Sequence, residues 1–161
     1  MRGTQISVAE MFAGMPQRRQ AMGAAREEHK RCAQLVRRMA VHRPDVSFSL
    51  KKSQSPHADV VTDGADDTTS VDVIRRLYSS ELADGLVPFR SSATHLGVQT
   101  IEGLAVNAEN GQRRSEFIFF INDRLVECAP IRRALEALYR GHLPRGKRPF
   151  VYLKLQVDPH R

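Results

Sequence analysis

The six residues Glu116–Ile121, EFIFFI, constrain this chain more than any other stretch. Five of them are apolar and none alternates with a polar neighbour, so a strand built from them has no face to give to water. It reads as a central strand of a sheet. Asn122-Asp123 follows, a pair that accepts the positive φ angles of a tight hairpin turn, and RLVE returns beside the strand. Before the hairpin, LVPF and HLGVQTIEGLAVNAE suggest antiparallel strands. After it, Ile131, Ala134, Leu135 and Leu138 recur on one face of a helix, with Arg132, Arg133, Glu136 and Arg140 on the other. FVYLKLQV is the last strand, with Val151, Leu153, Leu155 and Val157 on one face and Phe150, Tyr152 and Lys154 opposite.

The earlier part of the chain has its own pattern. TQISV alternates and predicts a short strand from Thr4 to Val8, and Pro16 fits the first turn of a helix, where its missing N–H costs nothing. From Ala25 to His42 the spacing of Cys32, Leu35, Val36, Met39 and Ala40 predicts a helix with one buried face, ended by Pro44. DVSFSLKK alternates with Val46, Phe48 and Leu50 on one side, and SQSP turns it toward a partner strand, ADVVT. The polar, turn-rich DGADDTTS at 63–70 is the best boundary, and Thr69 with Asp72 caps the helix after it, whose apolar face is Ile74, Leu77 and Tyr78. The fold class is therefore α/β of the α+β kind, in two pieces: residues 1–64, a linker at 65–70, and residues 71–161.

No apolar run approaches the roughly 18 residues that span a bilayer, and the N-terminus lacks the regions of a signal peptide, so an intracellular protein without a membrane partner is expected. Cys32 and Cys128 stand alone and read as small buried hydrophobes. His42, His57, His95, His142 and His160 show no ligand spacing, and no metal site is expected. Tyr78, Phe119 and Tyr139 fall at buried-face spacing and read as core. The net charge of +7 and isoelectric point near 10.0 point toward polyanions. Nine Lys/Arg lie within 1–43 and six within 131–150, flanking an acidic stretch at 59–88. GHLPRGKRPF at 141–150 imitates a phosphate-cradling loop, G-x-x-x-x-G-K-[ST], but Arg148 stands where the Ser or Thr belongs, and the helix precedes and the strand follows, the reverse of what that loop needs.

Three stretches carry a family resemblance. GTQISVAEMFAGMPQRR resembles the G-T-x-[VI]-x-V-x-x-[LM]-F-x-N-x-P-x-R segment of the MutL family of DNA mismatch-repair proteins; LVRRMAVHRPDVSFSLKK resembles its next helix and strand; FFINDRLVECAPIRRALEALYRGHLPRGKRPFVYLKLQVDP resembles its F-[VI]-N-x-R hairpin, basic helix and strand ending in Asp-Pro. NDRLVE, IRRALE and the LP-x-G-x-RPF-x-YL pattern are most like the eukaryotic MutL homologue one branch. The family's Asn is Gly14 here, the Gly common after the hairpin Asn is Asp123, and the extra arginines of bacterial relatives are replaced by Glu127, Cys128 and Ala129.

The resemblance implies that residues 1–64 end a GHKL-type ATPase domain and that residues 71–161 form a ribosomal-S5-like transducer. It places Gly3 and Thr4 beside ATP, with Mg²⁺ and most nucleotide contacts supplied by motifs that have no counterpart in these residues, so this portion alone is not expected to hydrolyse ATP and is expected to leave apolar faces open. It implies DNA, a second MutL-type subunit in a heterodimer and a MutS-type mismatch-recognition protein as partners, and the nucleus as location. The DNA candidates are Arg132 and Arg133 first, then Arg140, Lys147 and Arg148, and a second set of Arg18, Arg19, Arg37 and Arg38, with Arg124 as likely to fix its turn. Guanidinium groups suit the task because they hold phosphates bidentately. In each early pair, one arginine is free to brace a carboxylate instead. The rival reading is a stand-alone S5-like module that binds structured RNA.

Overall fold

The structure is a computed structural model that describes residues 3–159. Its elements are α1 (Pro16–Ala21), α2 (Ala25–His42), β1 (Ser49–Lys51), β2 (Ala58–Val61), α3 (Ser70–Leu77), α4 (Ser80–Asp84), β3 (Leu86–Ala93), β4 (Val98–Val106), β5 (Glu116–Ile121), β6 (Arg124–Val126), α5 (Ala129–Tyr139) and β7 (Phe150–Val157). β1 and β2 form an antiparallel hairpin, and the other five strands form one sheet in the order β3-β4-β7-β5-β6. All pairs in the larger sheet are antiparallel except β5 with β7, which α5 links as a parallel crossover.

EFIFFI is an interior strand, flanked by β6 and β7, and the position at the middle of the sheet belongs to β7. Asn122 and Asp123 make the turn at φ 47° and 61°. Asn122 suits it twice over: it tolerates the left-handed region, and its side chain clamps β7, donating from Nδ2 to the Val157 carbonyl at 3.1 Å while its Oδ1 accepts the Val157 N–H at 2.9 Å. Alternation along β7 sends Phe150 and Tyr152 to one face and Val151, Leu153 and Leu155 to the other. The first face packs under α2, α3 and α4, with Ile118 and Phe120 from β5; the second packs under α5, with Phe119 from β5. Tyr78 meets Phe150 edge-on, and Tyr139 donates its hydroxyl to the Val106 carbonyl at 2.6 Å, both in the cores expected of them. Thr69 and Asp72 close a full capping box at the start of α3.

Three expectations fail for identifiable reasons. Thr4–Val8 is not a strand: it pairs with nothing among the described residues, and Ile6 and Val8 are 81% and 70% exposed. A lone alternating segment has no row of partners to satisfy its backbone. Cys32 is exposed, as is Leu35, because only the C-terminal part of α2 reaches the sheet. On α5 the buried stripe is Ile131, Leu135 and Tyr139, spaced by four, which turns Ala134 and Leu138 outward.

Polar ties from Gln34, Arg38 and His42 hold α2 to the larger sheet. Ala40 and Val41 are fully buried in the core with β5 and β7, so the apolar interior runs across the 65–70 segment. Beside them His42 lies flat on Phe120, ring centroids 3.7 Å apart and 6° from parallel. Its Nε2 is 3.1 Å from Asp123 Oδ1 and its Nδ1 is 3.0 Å from the Tyr152 hydroxyl. A carboxylate can only accept, so the neutral ring donates from Nε2 to Asp123 and accepts at Nδ1 from Tyr152. One helical turn earlier, Arg38 Nε donates to Glu116 Oε1 at 2.8 Å, both side chains largely covered, at 20% and 13% exposure.

Burial lowers the His42 pKa below 6.5, outweighing the opposing pull of Asp123. The folded state therefore holds fewer protons than the unfolded chain just below pH 6.5, and His42 contributes its full share above about 6.5 and loses it as pH falls through the folded value. Thermal unfolding from about pH 7.5 to about pH 5 should show a steeper decline for the native chain than for His42→Gln, which starts lower; parallel curves would contradict this assignment. Arg38→Gln leaves Glu116 covered without its cation and should cost roughly 1–3 kcal/mol in a urea titration.

Candidate nucleic-acid interface

Tyr139 ends α5, and the chain then makes a glycine-hinged loop back to β7, with Gly141 and Gly146 at φ 84° and 80°. Those angles, which L side chains rarely adopt, account for both glycines of the phosphate-loop look-alike. The loop encloses an open concavity of about 470 Å³ lined by Arg140, Arg145, Lys147 and Arg148, with Glu136 the one acid. Lys147 is held inside the structure: its Nζ donates to Glu81 Oε1 at 3.0 Å and to the Gly111 carbonyl at 3.2 Å. Arg148 exchanges both backbone hydrogen bonds with Gln112 and keeps an exposed side chain.

Along α5, Arg133 is exposed and forms no ion pair among the described residues. Arg132 rests its guanidinium 5.5 Å from the Phe117 ring centroid and bonds Glu136 at 3.0 Å, which orients it while leaving it more than half exposed. It also borders a second concavity, shared with Gln34, Arg38 and Glu116. A third lies beside it along α2 and includes Arg26, Lys30, Arg37 and Arg114. Ser115 lines all three, so the three concavities adjoin there and bring basic groups from α5, its following loop and α2 near one another.

The structure thus brings Arg132, Arg140, Lys147, Arg148, Arg37 and Arg38 around one surface, with Arg133 on the adjacent exposed turn of α5. Within it Arg38 and Lys147 are engaged by carboxylates. Arg18 and Arg19 stand apart on α1, where Arg18 lies over the Phe12 ring and Arg19 lines a small pocket of its own. Arg124 is exposed at the start of β6, beyond the hairpin turn. Arg26, Lys30, Lys52, Arg113 and Arg114 went unremarked as a group in the sequence. The signal for the last two was the pair RR one residue before EFIFFI, a basic step at the mouth of an interior strand.

Gly3 and Thr4 are exposed in an irregular segment, and no atom lies within 4 Å of a Cβ placed on Gly3. Without converging polar groups, these two residues do not make a nucleotide pocket by themselves, and no hydrolytic step is assigned to them. Among the described residues no three His, Cys, Asp or Glu side chains gather to hold a metal ion, and no helix is long and apolar enough to cross a membrane.

Known proteins resemble this chain in sequence and in fold. The family described as DNA mismatch repair protein, C-terminal domain, matches residues 74–161. DNA mismatch repair protein MLH1 of Saccharomyces cerevisiae is 34% identical over 159 residues, covering 98% of this chain and 20% of that protein. MutL of Geobacillus kaustophilus is 30% identical over 159 residues, covering 98% of this chain and 24% of that protein. The chain spans about a fifth of the length of the curated relatives it matches first. Among solved structures, the N-terminal domain of a DNA repair protein superposes with a TM-score of 0.71 at 15% identity, over 91% of this chain and 47% of that one. The Aquifex aeolicus MutL ATPase domain complexed with ADP gives 0.62 at 15% identity, over 92% and 50%. The five-stranded sheet with α5 corresponds to the S5-like part of that module. By its sequence from residue 74 onward, the chain belongs to the MutL and MLH1 family of DNA mismatch-repair proteins.

Proposed function

We propose that this chain is a portion of the N-terminal region of a MutL-type mismatch-repair ATPase, and that its basic trough tracks a DNA backbone. The observation that supports this most is the meeting of basic groups from α5, the 140–149 loop and α2 at Ser115, in a chain whose family acts in mismatch repair. The exposed guanidinium groups of Arg132, Arg133, Arg140 and Arg148 supply charge and paired N–H donors that suit phosphate oxygens. Contacts to phosphate oxygens carry no base identity, so binding through them is independent of sequence and falls steeply with salt.

In the longer protein, ATP and Mg²⁺ would be held by residues outside this chain, with Gly3 and Thr4 joining the adenine side. The relative crystallised with ADP supports a nucleotide site in the module, as a property of that protein. A second MutL-type subunit, a MutS-type partner and a nuclear location follow from the likeness to the yeast protein and belong to the same proposal. The ties from Arg38 and His42 to the sheet offer a route by which movement of α2 reaches the DNA-facing elements.

Fluorescence anisotropy of a labelled duplex over a salt series tests the DNA face. The native chain should lose affinity as salt rises, and Arg132→Glu with Arg133→Glu should bind more weakly, with a log–log salt slope shallower by about 2. Equal affinity and slope in the double variant would remove α5 from the interface. Tighter competition by an RNA helix than by duplex DNA would favour the RNA-binding alternative.

A further inference from the structure

The SQSP turn at 53–56 joins β1 to β2 beside the third concavity. It is the tip of a two-stranded hairpin that pairs with no strand of the larger sheet, and the Ser55 N–H closes the turn on the Lys52 carbonyl at 3.1 Å. Ser53 and Gln54 occupy the two corner positions, and both are exposed. With strands of only three and four residues behind it, such a tip opens locally at far less cost than global unfolding.

The two serines of the turn differ. Ser55 is half-buried, and its Oγ donates to the His57 carbonyl at 2.8 Å and accepts the His57 N–H at 3.3 Å. Other serines are engaged too: Ser47 donates to the Thr62 carbonyl, Ser70 donates to the Val41 carbonyl, and Ser79 caps α4 by accepting the Leu82 N–H. The Ser53 hydroxyl has no such bond among the described residues.

What surrounds Ser53 gives it a role. Gln54 carries an exposed amide with both donors and an acceptor, so Ser-Gln is a pair that an enzyme can read from outside. One other hydroxyl–glutamine pair occurs in the chain, Thr4-Gln5, and neither of its residues lines any of the three concavities. Ser53 instead adjoins Lys52, which lines the third concavity with Arg26, Arg37 and Arg114 and has no carboxylate partner among the described residues. Consecutive Cα atoms are about 3.8 Å apart, so a charge on Ser53 acts on Lys52 well inside the screening length of about 10 Å at about 0.1 M salt.

We propose that Ser53 is a phosphorylation site for a serine kinase that reads the glutamine after it, and that the phosphate opposes polyanion binding at the basic surface. In the transfer, Ser53 Oγ attacks the γ-phosphorus of ATP. The new O–P bond forms as the bond to the ADP oxygen breaks, the hydroxyl proton passes to a carboxylate of the kinase, and ADP leaves. The phosphoserine carries about −1.5 to −2 charges at pH 7, enough to offset Lys52 and most of one neighbouring cation. The site itself stands on the turn, whereas its effect rests on the DNA reading of the basic surface.

The test incubates the whole 161-residue chain with ATP and a glutamine-directed serine kinase, maps the phosphate by mass spectrometry, and then measures duplex binding by fluorescence anisotropy at low salt. Phosphate should appear on Ser53, and Gln54→Ala should slow its incorporation by about tenfold or more, the loss of a read hydrogen-bonding group. Ser55→Ala should leave incorporation unchanged. A chain that takes no phosphate, phosphate on Ser55 or Thr4 in place of Ser53, or equal incorporation in Gln54→Ala would overturn the site. The phosphorylated chain should bind duplex about threefold or more weakly than the untreated chain, with a shallower salt slope. Ser53→Ala carried through the same incubation should bind as the untreated chain does. Equal affinity of the two forms would overturn the effect on binding. An untreated chain that binds no duplex sinks the DNA reading and that effect with it, while phosphate mapped to Ser53 keeps the site.

Discussion

The ring of His42, stacked on Phe120 and bonded at both nitrogens, is the contact on which the arrangement of the molecule depends. α2 enters the buried core only through its C-terminal end, since Cys32 and Leu35 farther back are exposed. At that end Ala40 and Val41 give apolar burial, which has no preferred direction. His42 supplies direction. Its two hydrogen bonds reach different elements, the β5–β6 turn and β7, so the helix end is fixed in both position and rotation. The same contact explains Asp123 at a turn position where a glycine would be less strained. The residue keeps a positive φ and in return presents a carboxylate to His42 and, at 3.7 Å, to Lys154.

How much of this was legible in the sequence depended on the range of the interaction. The β5–β6 hairpin is written in eight consecutive residues, and the α3 capping box in four, so both could be read directly. The two faces of β7 were legible because strict alternation has only one structural meaning. His42 was not, because its partners Asp123 and Tyr152 lie 81 and 110 residues away, and histidine spacing within the chain says nothing about such pairs. Thr4–Val8 shows the opposite failure: its local pattern is that of a strand, and no neighbour completes it. Leu138 was misplaced by a single step of helical phase: its neighbour Tyr139 turns inward instead and donates its hydroxyl to the Val106 carbonyl.

Charge was legible as a quantity and not as a role. Lys147, Arg38, Arg132 and Arg133 look alike in sequence, yet Lys147 closes a loop on Glu81, Arg38 ties α2 to β5 through Glu116, Arg132 is aimed by Phe117 and Glu136, and Arg133 is left to solvent. An arginine already matched to a covered carboxylate has little to offer a phosphate, since taking it would strand the acid. The cations available to a polyanion are therefore the unmatched ones. Among them are Arg133, Arg140, Arg145 and Arg148 on α5 and its loop, and Arg26, Arg37, Lys52 and Arg114 beside α2.

Those two groups are mechanically joined. Gln112 and Arg148 exchange backbone hydrogen bonds at 3.0 and 2.7 Å, and Lys147 reaches across to the Gly111 carbonyl. The segment before β5, which carries Arg114 into one cavity, is thus paired with the loop that carries Arg145 and Arg148 around the other. Gly111 allows this approach: a Cβ there would stand 3.0 Å from the Lys147 side chain and 3.1 Å from the Arg148 carbonyl oxygen. The two basic regions therefore share one piece of backbone.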